Sequence, residues 1–535
     1  MSATRLSELP IAIAPSLSRT RLAGPPSQGA VPRHRHHRRV GLTVLPALLS
    51  LGLGLWGIRR EGSIWRDEVV TYDMAHRSLA ELRDTVANVD LVHAVYYLLL
   101  HGLFRVFDQV DPLLVMRLPS VAATVAATAG TTLLGRRLGG LRTGLLTGVL
   151  FALVPQVQRF AQEGRSYALV TACVVWATYL LIHAVRSRSA WTWAGYAALT
   201  LAAALLHEFA VLAVVAHAWV VPREARRRWA VAVLTACAGV APLTLLSMGQ
   251  SAQVSWIGVD VGGLAWFVSA GTVSVLCARW LLRHTAEPET EAARETAADS
   301  GSASVFGPGP GSRFGPGLDH DGVRLLVRTA LPLAVLPSLI LLLASILHPL
   351  FVDRYVLYSI AGQALLAGAA LDRGLRGRPL RGPALLAAAL AILMIPTYSW
   401  ELRAPDSRRD DATAIAHAVQ RLEAPGDSVL YTPSRRRVWS LTSPGTFAGL
   451  RDIALDKAPA RSGWLYGTEV SAATLRARML QERRIIVLRD PEGQPLDDTA
   501  EEQVKQNVLS RSFEECRTLR PQGARVSLYA RPGQC

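Results

Sequence analysis

Lysine is nearly absent: the 535 residues hold only Lys457 and Lys505, so almost all of the 57 basic side chains are arginine. Charge of either sign is sparse. Asp, Glu, Lys and Arg together reach 18%, against about 25% in soluble chains, while apolar residues make up 50%. That balance excludes an ordinary soluble enzyme and a wholly disordered chain. The five cysteines form no C-x-x-C pair, which excludes a zinc ribbon or a dithiol redox motif. No G-x-x-x-x-G-K-[ST] loop occurs, and no G-x-G-x-x-G opens a helix after a strand. No internal repeat is visible. The net charge of +16, in a chain of mean hydropathy +0.25, points to positive loops beside a membrane rather than to nucleic acid.

What is present is a succession of apolar stretches. About 20 residues of helix cross roughly 30 Å of hydrocarbon. The sequence predicts eleven spans: 40–58, 113–135, 143–158, 167–185, 190–206, 208–221, 229–248, 263–282, 325–347, 355–371 and 383–399. Arginines mark one side. They stand in the 1–39 tail, at Arg136, Arg137 and Arg142, at Arg186 and Arg188, at Arg223 and Arg226 to Arg228, at Arg279 and Arg283, and from Arg373 to Arg381. All are cytoplasmic if the N-terminus is, which places the C-terminal region outside a multi-pass plasma-membrane protein. Residues 92–107 are apolar but short, and carry His93, His101 and Arg105; read as an interfacial helix they keep this arrangement, and read as a span they reverse it.

Three further regions stand apart. The polar 1–39 tail precedes a first span without a clear small-residue cleavage site, as expected of an uncleaved anchor. Residues 284–323, rich in Glu, Ala, Ser, Gly and Pro, read as a disordered cytoplasmic linker inside the 40–399 membrane module. Residues 400–535 change pattern: 413–422 reads as an amphipathic helix, and 428–431, 484–488 and 526–529 as strands of a small α/β domain. Cys516 and Cys535 lie within it, and an oxidising exterior permits a bond between them without requiring one.

Polar residues gather at the predicted outer ends of the spans. The first external loop, 59–112, holds Trp65-Arg66-Asp67-Glu68, then Asp73, His76, Asp84, Asp90 and His93. Gln162-Glu163-Gly164-Arg165-Ser166-Tyr167, His207-Glu208 and His348-Pro349-Leu350-Phe351-Val352-Asp353-Arg354-Tyr355 follow. Ionisable groups at membrane depth are costly and usually face a cavity. A carboxylate there can take a proton from a hydroxyl or hold a divalent cation. A transferase on the outer face needs a donor brought by the membrane itself, and a polyprenyl phosphate meets that need, its phosphate facing an arginine.

These residues resemble the start of glycosyltransferase family 39, the protein mannosyltransferase-like members of the GT-C superfamily. The resemblance runs through Trp65, Asp67 and Glu68, through Asp90 and His93 ahead of Tyr96 to His101, and through Arg117-Leu118-Pro119-Ser120. Gln162 to Tyr167 is similar to the family's Gln-Glu-Ala-Arg-x-Tyr segment, and Phe351 to Tyr355 to its late Arg-Tyr segment, in order over about 40–400. Two features depart: the prolines usual after the histidine are missing at Ala94-Val95, and Gly164 stands for Ala. The resemblance implies a mainly α, polytopic GT-C-like bundle. It also implies inverting transfer of a sugar, mannose or another hexose, from a polyprenyl-phosphate donor. The acceptor expected on that resemblance is a protein, glycolipid or cell-wall polymer. By that analogy Asp67 is the general base, supported by Glu68, while Arg165 and Arg354 bind the donor phosphate. His93, Glu163, Tyr167, His207 and Tyr355 line the pocket, and neither a metal nor a cofactor is required. Two other classes compete: a flippase for a lipid-linked sugar, which tends to show inverted repeats, and a membrane-anchored envelope scaffold.

Overall fold

The computed structural model describes residues 42–187, 189–250, 261–284, 320–347, 350–375, 398–494 and 497–535. The 1–39 tail, His348, Pro349, nearly all of the 383–399 span and most of the 284–323 linker lie outside the described residues.

The membrane module begins with α1 (Leu45–Leu55). A turn leads into three short helices, α2 (Arg66–His76), α3 (Leu79–Asn88) and α4 (Ala94–Val106). Ser78 and Glu81 form a reciprocal capping box at the start of α3. Thirteen residues at about 1.5 Å each make α4 too short for a straight crossing. Its His101 Nδ1 lies 3.0 Å from the Ala75 carbonyl of α2.

The rest of the bundle follows: α5 (Pro112–Gly139), α6 (Leu141–Leu153), α7 (Pro155–Ala161), α8 (Tyr167–Ser187), α9 (Ala190–Leu206), α10 (Leu212–His217), α11 (Arg226–Met248), α12 (Val261–Arg283), α13 (His320–Ala344) and α14 (Ser359–Gly374). Among the described residues five helices, α5, α8, α11, α12 and α13, are long and apolar enough to cross a membrane; α6 and α7, bent by 65° at Val154-Pro155, make a sixth if taken as one span. Proline explains that break, because it removes a backbone donor and restricts the residue before it. The predicted spans 40–58 and 208–221 are shorter as helices than as apolar runs.

Polar side chains inside the bundle are satisfied locally. Thr124, Thr128, Thr131 and Thr132 of α5 each donate to the carbonyl four residues back at 2.7–2.8 Å. Small residues let α5 and α6 approach closely. A Cβ at Gly144 would stand 2.6 Å from the Thr132 carbonyl oxygen.

The C-terminal domain is a five-stranded mixed sheet in the order β2-β1-β5-β7-β6. The strands are β1 (Ser428–Thr432), β2 (Arg451–Asp452), β5 (Arg484–Arg489), β6 (Glu514–Leu519) and β7 (Arg525–Ala530), with β3 (Leu455–Lys457) and β4 (Thr468–Glu469) pairing separately. β1 runs parallel to β2 and β5; β7 is antiparallel to β5 and β6. Both faces of β5 are covered, so its apolar run is continuous. Ile485 and Val487 pack with α16 (Ala472–Gln481) and α17 (Ala500–Ser512), while Ile486 and Leu488 pack with α15 (Ala412–Gln420) and Trp439. Cys516 and Cys535 are disulfide-bonded, tying the C-terminus to β6. The apolar core does not stop at the domain boundary: Ile64, Val69 and Met116 belong to the same buried cluster as Ile415, Val429 and Trp439.

Candidate active site

The turn ahead of α2 is unusual. Arg60, Glu61 and Gly62 have φ of 46°, 54° and 88°, two of them on residues other than glycine. Such backbone persists where its surroundings over-determine it, and here ion pairs do so. Arg60 reaches Glu68 at 2.5 Å, and Arg117 of α5 meets Glu68 at 2.8 and 2.7 Å. Arg117 also donates to the Ile58 and Ser63 carbonyls, and the Gly164 amide donates to Glu68 at 3.0 Å. Glu68, Arg60 and Arg117 have wholly buried side chains. Burial opposes ionisation of Glu68, but Arg117 and Arg60 outweigh it and hold the carboxyl at about 2.

Asp67, on the other side of the same helical turn, has different surroundings. Its carboxylate is one-fifth exposed, and a single oxygen, Oδ2, lies 3.9 Å from both Arg165 Nη2 and Arg354 Nη2. Arg354 Nε donates to the Tyr167 hydroxyl at 3.1 Å. Arg165 donates to the Tyr97 hydroxyl, which in turn donates to Asp90. Aromatic rings pack around these charges. His207 is 4.4 Å from Tyr355, 5.7 Å from Tyr167 and 6.0 Å from His93 between ring centroids. The Arg354 guanidinium stands 5.7 Å from the Tyr167 and Tyr355 rings. Burial, with the Arg165 guanidinium beside it, holds the His93 imidazole well below its usual range, so it is neutral at neutral pH.

The predicted residues therefore separate into groups. Asp67, Arg165, Arg354, His93, Tyr167, His207 and Tyr355 converge in one cluster of contacts, each at or next to a helix end. Glu68 stands behind that cluster. Glu163 is buried beside Arg408 at 3.7 Å, and neither of its carboxylate oxygens has a hydrogen-bond partner. Glu208 accepts from Ser247 of α11 at 2.9 Å. Among the described residues no three His, Cys, Asp or Glu side chains gather in a way that would hold a metal.

Arg60, Tyr97, Arg408 and Asp410 escaped the sequence reading as site residues. A lone arginine such as Arg117, the sixth residue of an apolar helix, signals a buried anionic partner. Arg60 and Arg408 offer no such contrast, since each stands in a run of polar residues.

No protein-family profile matches the chain, and no curated protein does. Solved structures do. ArnT from Cupriavidus metallidurans in the apo state superimposes with a TM-score of 0.52 over 91% of this chain and 98% of that one, at 11% identity. The two chains share a fold. The same protein bound to undecaprenyl phosphate gives a TM-score of 0.47 over 91% and 97%, at 12% identity. The Archaeoglobus fulgidus oligosaccharyltransferase with Zn and sulfate gives 0.47 over 92% of this chain and 73% of that one, at 12% identity. At 11% identity the likeness to the apo ArnT structure concerns the fold alone.

Proposed function

We propose that this chain is a membrane glycosyltransferase that moves a sugar from a polyprenyl-phosphate donor to an acceptor on the extracytoplasmic face. The carrying observation is the pairing of one Asp67 oxygen with two arginines at 3.9 Å, beside a cluster of His and Tyr rings. Two cations facing one partly solvated carboxylate leave positive charge over for a phosphate. The GT-C-like fold and the ordered resemblance over 40–400 support the same reading.

Asp67 takes the proton of an acceptor hydroxyl or amine as the acceptor atom attacks the anomeric carbon. The bond between that carbon and the phosphate oxygen breaks, its electron pair stays on the phosphate, and configuration inverts. Arg165 and Arg354 stabilise the charge that grows on the leaving phosphate. Glu68 acts as scaffold: its carboxylate is saturated and closed to substrate. His93, Tyr167, His207 and Tyr355 shape the sugar site; Glu163 braces the pocket floor against Arg408.

Helix polarity supports the orientation. Arg136, Arg186 and Arg283 end α5, α8 and α12, and Arg226 begins α11. Arg117, Tyr167 and His207 stand at the opposite ends of their helices, with the pocket. The Cys516–Cys535 disulfide fits an oxidising exterior for the C-terminal domain. Mannose is the default sugar from the resemblance.

The test is mass spectrometry of glycolipids, glycoproteins and wall glycans in a deletion strain against wild type and an Asp67→Asn strain. A glycan missing from both the deletion and Asp67→Asn strains is the expected result. Flipping of lipid-linked sugar without any change in glycans overturns the reading in favour of a flippase. Loss of phenotype only on removal of 401–535 overturns it in favour of a scaffold.

A further inference from the structure

The start of α2 has no cap of its own. Trp65 occupies the N-cap position in extended conformation and offers no side-chain acceptor. The first amides of a helix need one, and a carboxylate is the best complement to their partial positive charge. That acceptor comes from 344 residues away: the Arg66 amide donates to Asp410 Oδ1 at 2.9 Å.

Asp410 is 2% exposed and fixed from the C-terminal domain. Its Oδ2 accepts from Trp439 Nε1 at 3.2 Å, and Trp439 is completely buried. The Arg66 side chain bridges the two acids, with Nε 3.8 Å from Asp410 Oδ2 and 3.9 Å from Asp67 Oδ1. The neighbouring backbone is docked as well. Ala412 N donates to the Ile64 carbonyl and Thr413 Oγ1 to the Gly62 carbonyl, both at 2.8 Å, and Ser63 Oγ donates to the Pro405 carbonyl at 2.9 Å. The left-handed turn at 60–62 is thus clasped from two sides, by Glu68 with Arg117 in the bundle and by residues 405–413 of the C-terminal segment.

We propose that Asp410 is a positioning residue for Asp67, so that the C-terminal domain completes the site rather than standing beside it. This inference rests on the reading of Asp67 as the base. The Trp439–Asp410–Arg66 chain sets where the first turn of α2 begins, and Asp67 is the second residue of that turn. A carboxylate displaced by about 1 Å from a reacting hydroxyl loses on the order of 100-fold in rate, without any change in how the donor phosphate meets Arg165 and Arg354.

The experiment uses full-length protein in lipid vesicles. Release of polyprenyl phosphate from the sugar donor reports kcat and KM, and binding of undecaprenyl phosphate is measured on the same preparations. Asp410→Ala is expected to lower kcat by about 10- to 100-fold, with donor KM and undecaprenyl-phosphate binding near wild type. Asp410→Asn keeps an oxygen for the Arg66 amide but turns an NH2 towards the Trp439 N–H, and is expected to recover only part of the rate. If Asp410→Ala does not fold, a second pair separates the amide from the side chain. Arg66→Ala keeps the N–H, whereas Arg66→Pro removes it at a helix position that tolerates proline; the proline variant is expected to be the slower. Wild-type kcat in Asp410→Ala, or equal rates in the Arg66 pair, beside an inactive Asp67→Asn, overturns the positioning role alone. An active Asp67→Asn overturns the base itself.

Discussion

The two faces of the first turn of α2 carry adjacent acids with opposite fates. Glu68 points into the bundle and accepts four hydrogen bonds from Arg60, Arg117 and Gly164, with no exposure. Asp67 points into the pocket, one-fifth exposed, with its nearest cations at 3.9 Å. Both are carboxylates on one helical turn, and they differ in burial and in partners. A saturated carboxylate holds backbone in place. One left short of direct partners remains available to a proton. The adjacent Asp-Glu pair is therefore one saturated acid and one acid left open, and the proposed function assigns the open one as the base.

The largest expected effect falls on the scaffold side. Glu68→Gln leaves Arg60 and Arg117 buried without an anion and is expected to cost about 3–5 kcal/mol of stability, read as a lowered Tm or loss of folded protein. Asp67→Asn leaves Tm close to wild type; equal destabilisation of the two variants would erase the distinction.

On the pocket side, Arg354→Ala or Arg165→Ala is expected to weaken polyprenyl-phosphate binding by about 1.5–3 kcal/mol each, measured by titration with undecaprenyl phosphate. Unchanged affinity in both variants would move the phosphate elsewhere.

Gly164 joins the two faces. Its amide serves Glu68, and a Cβ there would stand 2.3 Å from Met116 Cγ. Gly164→Ala is expected to cost about 1–3 kcal/mol. The cost shrinks in a Met116→Ala background, because shortening that side chain clears the space; additive effects would show that the clash is absent.

The smallest effect is a pH dependence. Glu68 sits at about 2 in the folded chain against an ordinary 4.5, so its contribution to stability is complete above pH 4.5 and lost as pH falls towards 2. Wild-type stability is expected to fall more steeply across that window than that of a Glu68→Gln variant, with no difference in slope between pH 5 and 8. Parallel acid titrations would contradict the ion-pair assignment.

Helices were the most legible part of the sequence. The predicted 113–135, 167–185, 190–206 and 229–248 correspond to α5, α8, α9 and α11, because apolar length and arginine-flanked ends are local signals. The strands at 428–431, 484–488 and 526–529 were legible for the same reason, as runs of branched and aromatic residues. β6 was not: its Glu514-Glu515-Cys516-Arg517 stretch has the polar face of an edge strand and no apolar run. The pocket's members were visible as polar residues at apolar ends. Their partners were less so: Arg117 stands out as a lone charge in an apolar helix, but Asp410 meets α2 from 344 residues away. Ion pairing across such distances leaves no periodic trace.

Transfer and donor binding measured together on one Asp67→Asn preparation, in vesicles, test the central claim most directly. The account predicts undecaprenyl-phosphate binding near that of wild type, with transfer reduced by about 100- to 10,000-fold. Transfer at the wild-type rate with donor bound would contradict it.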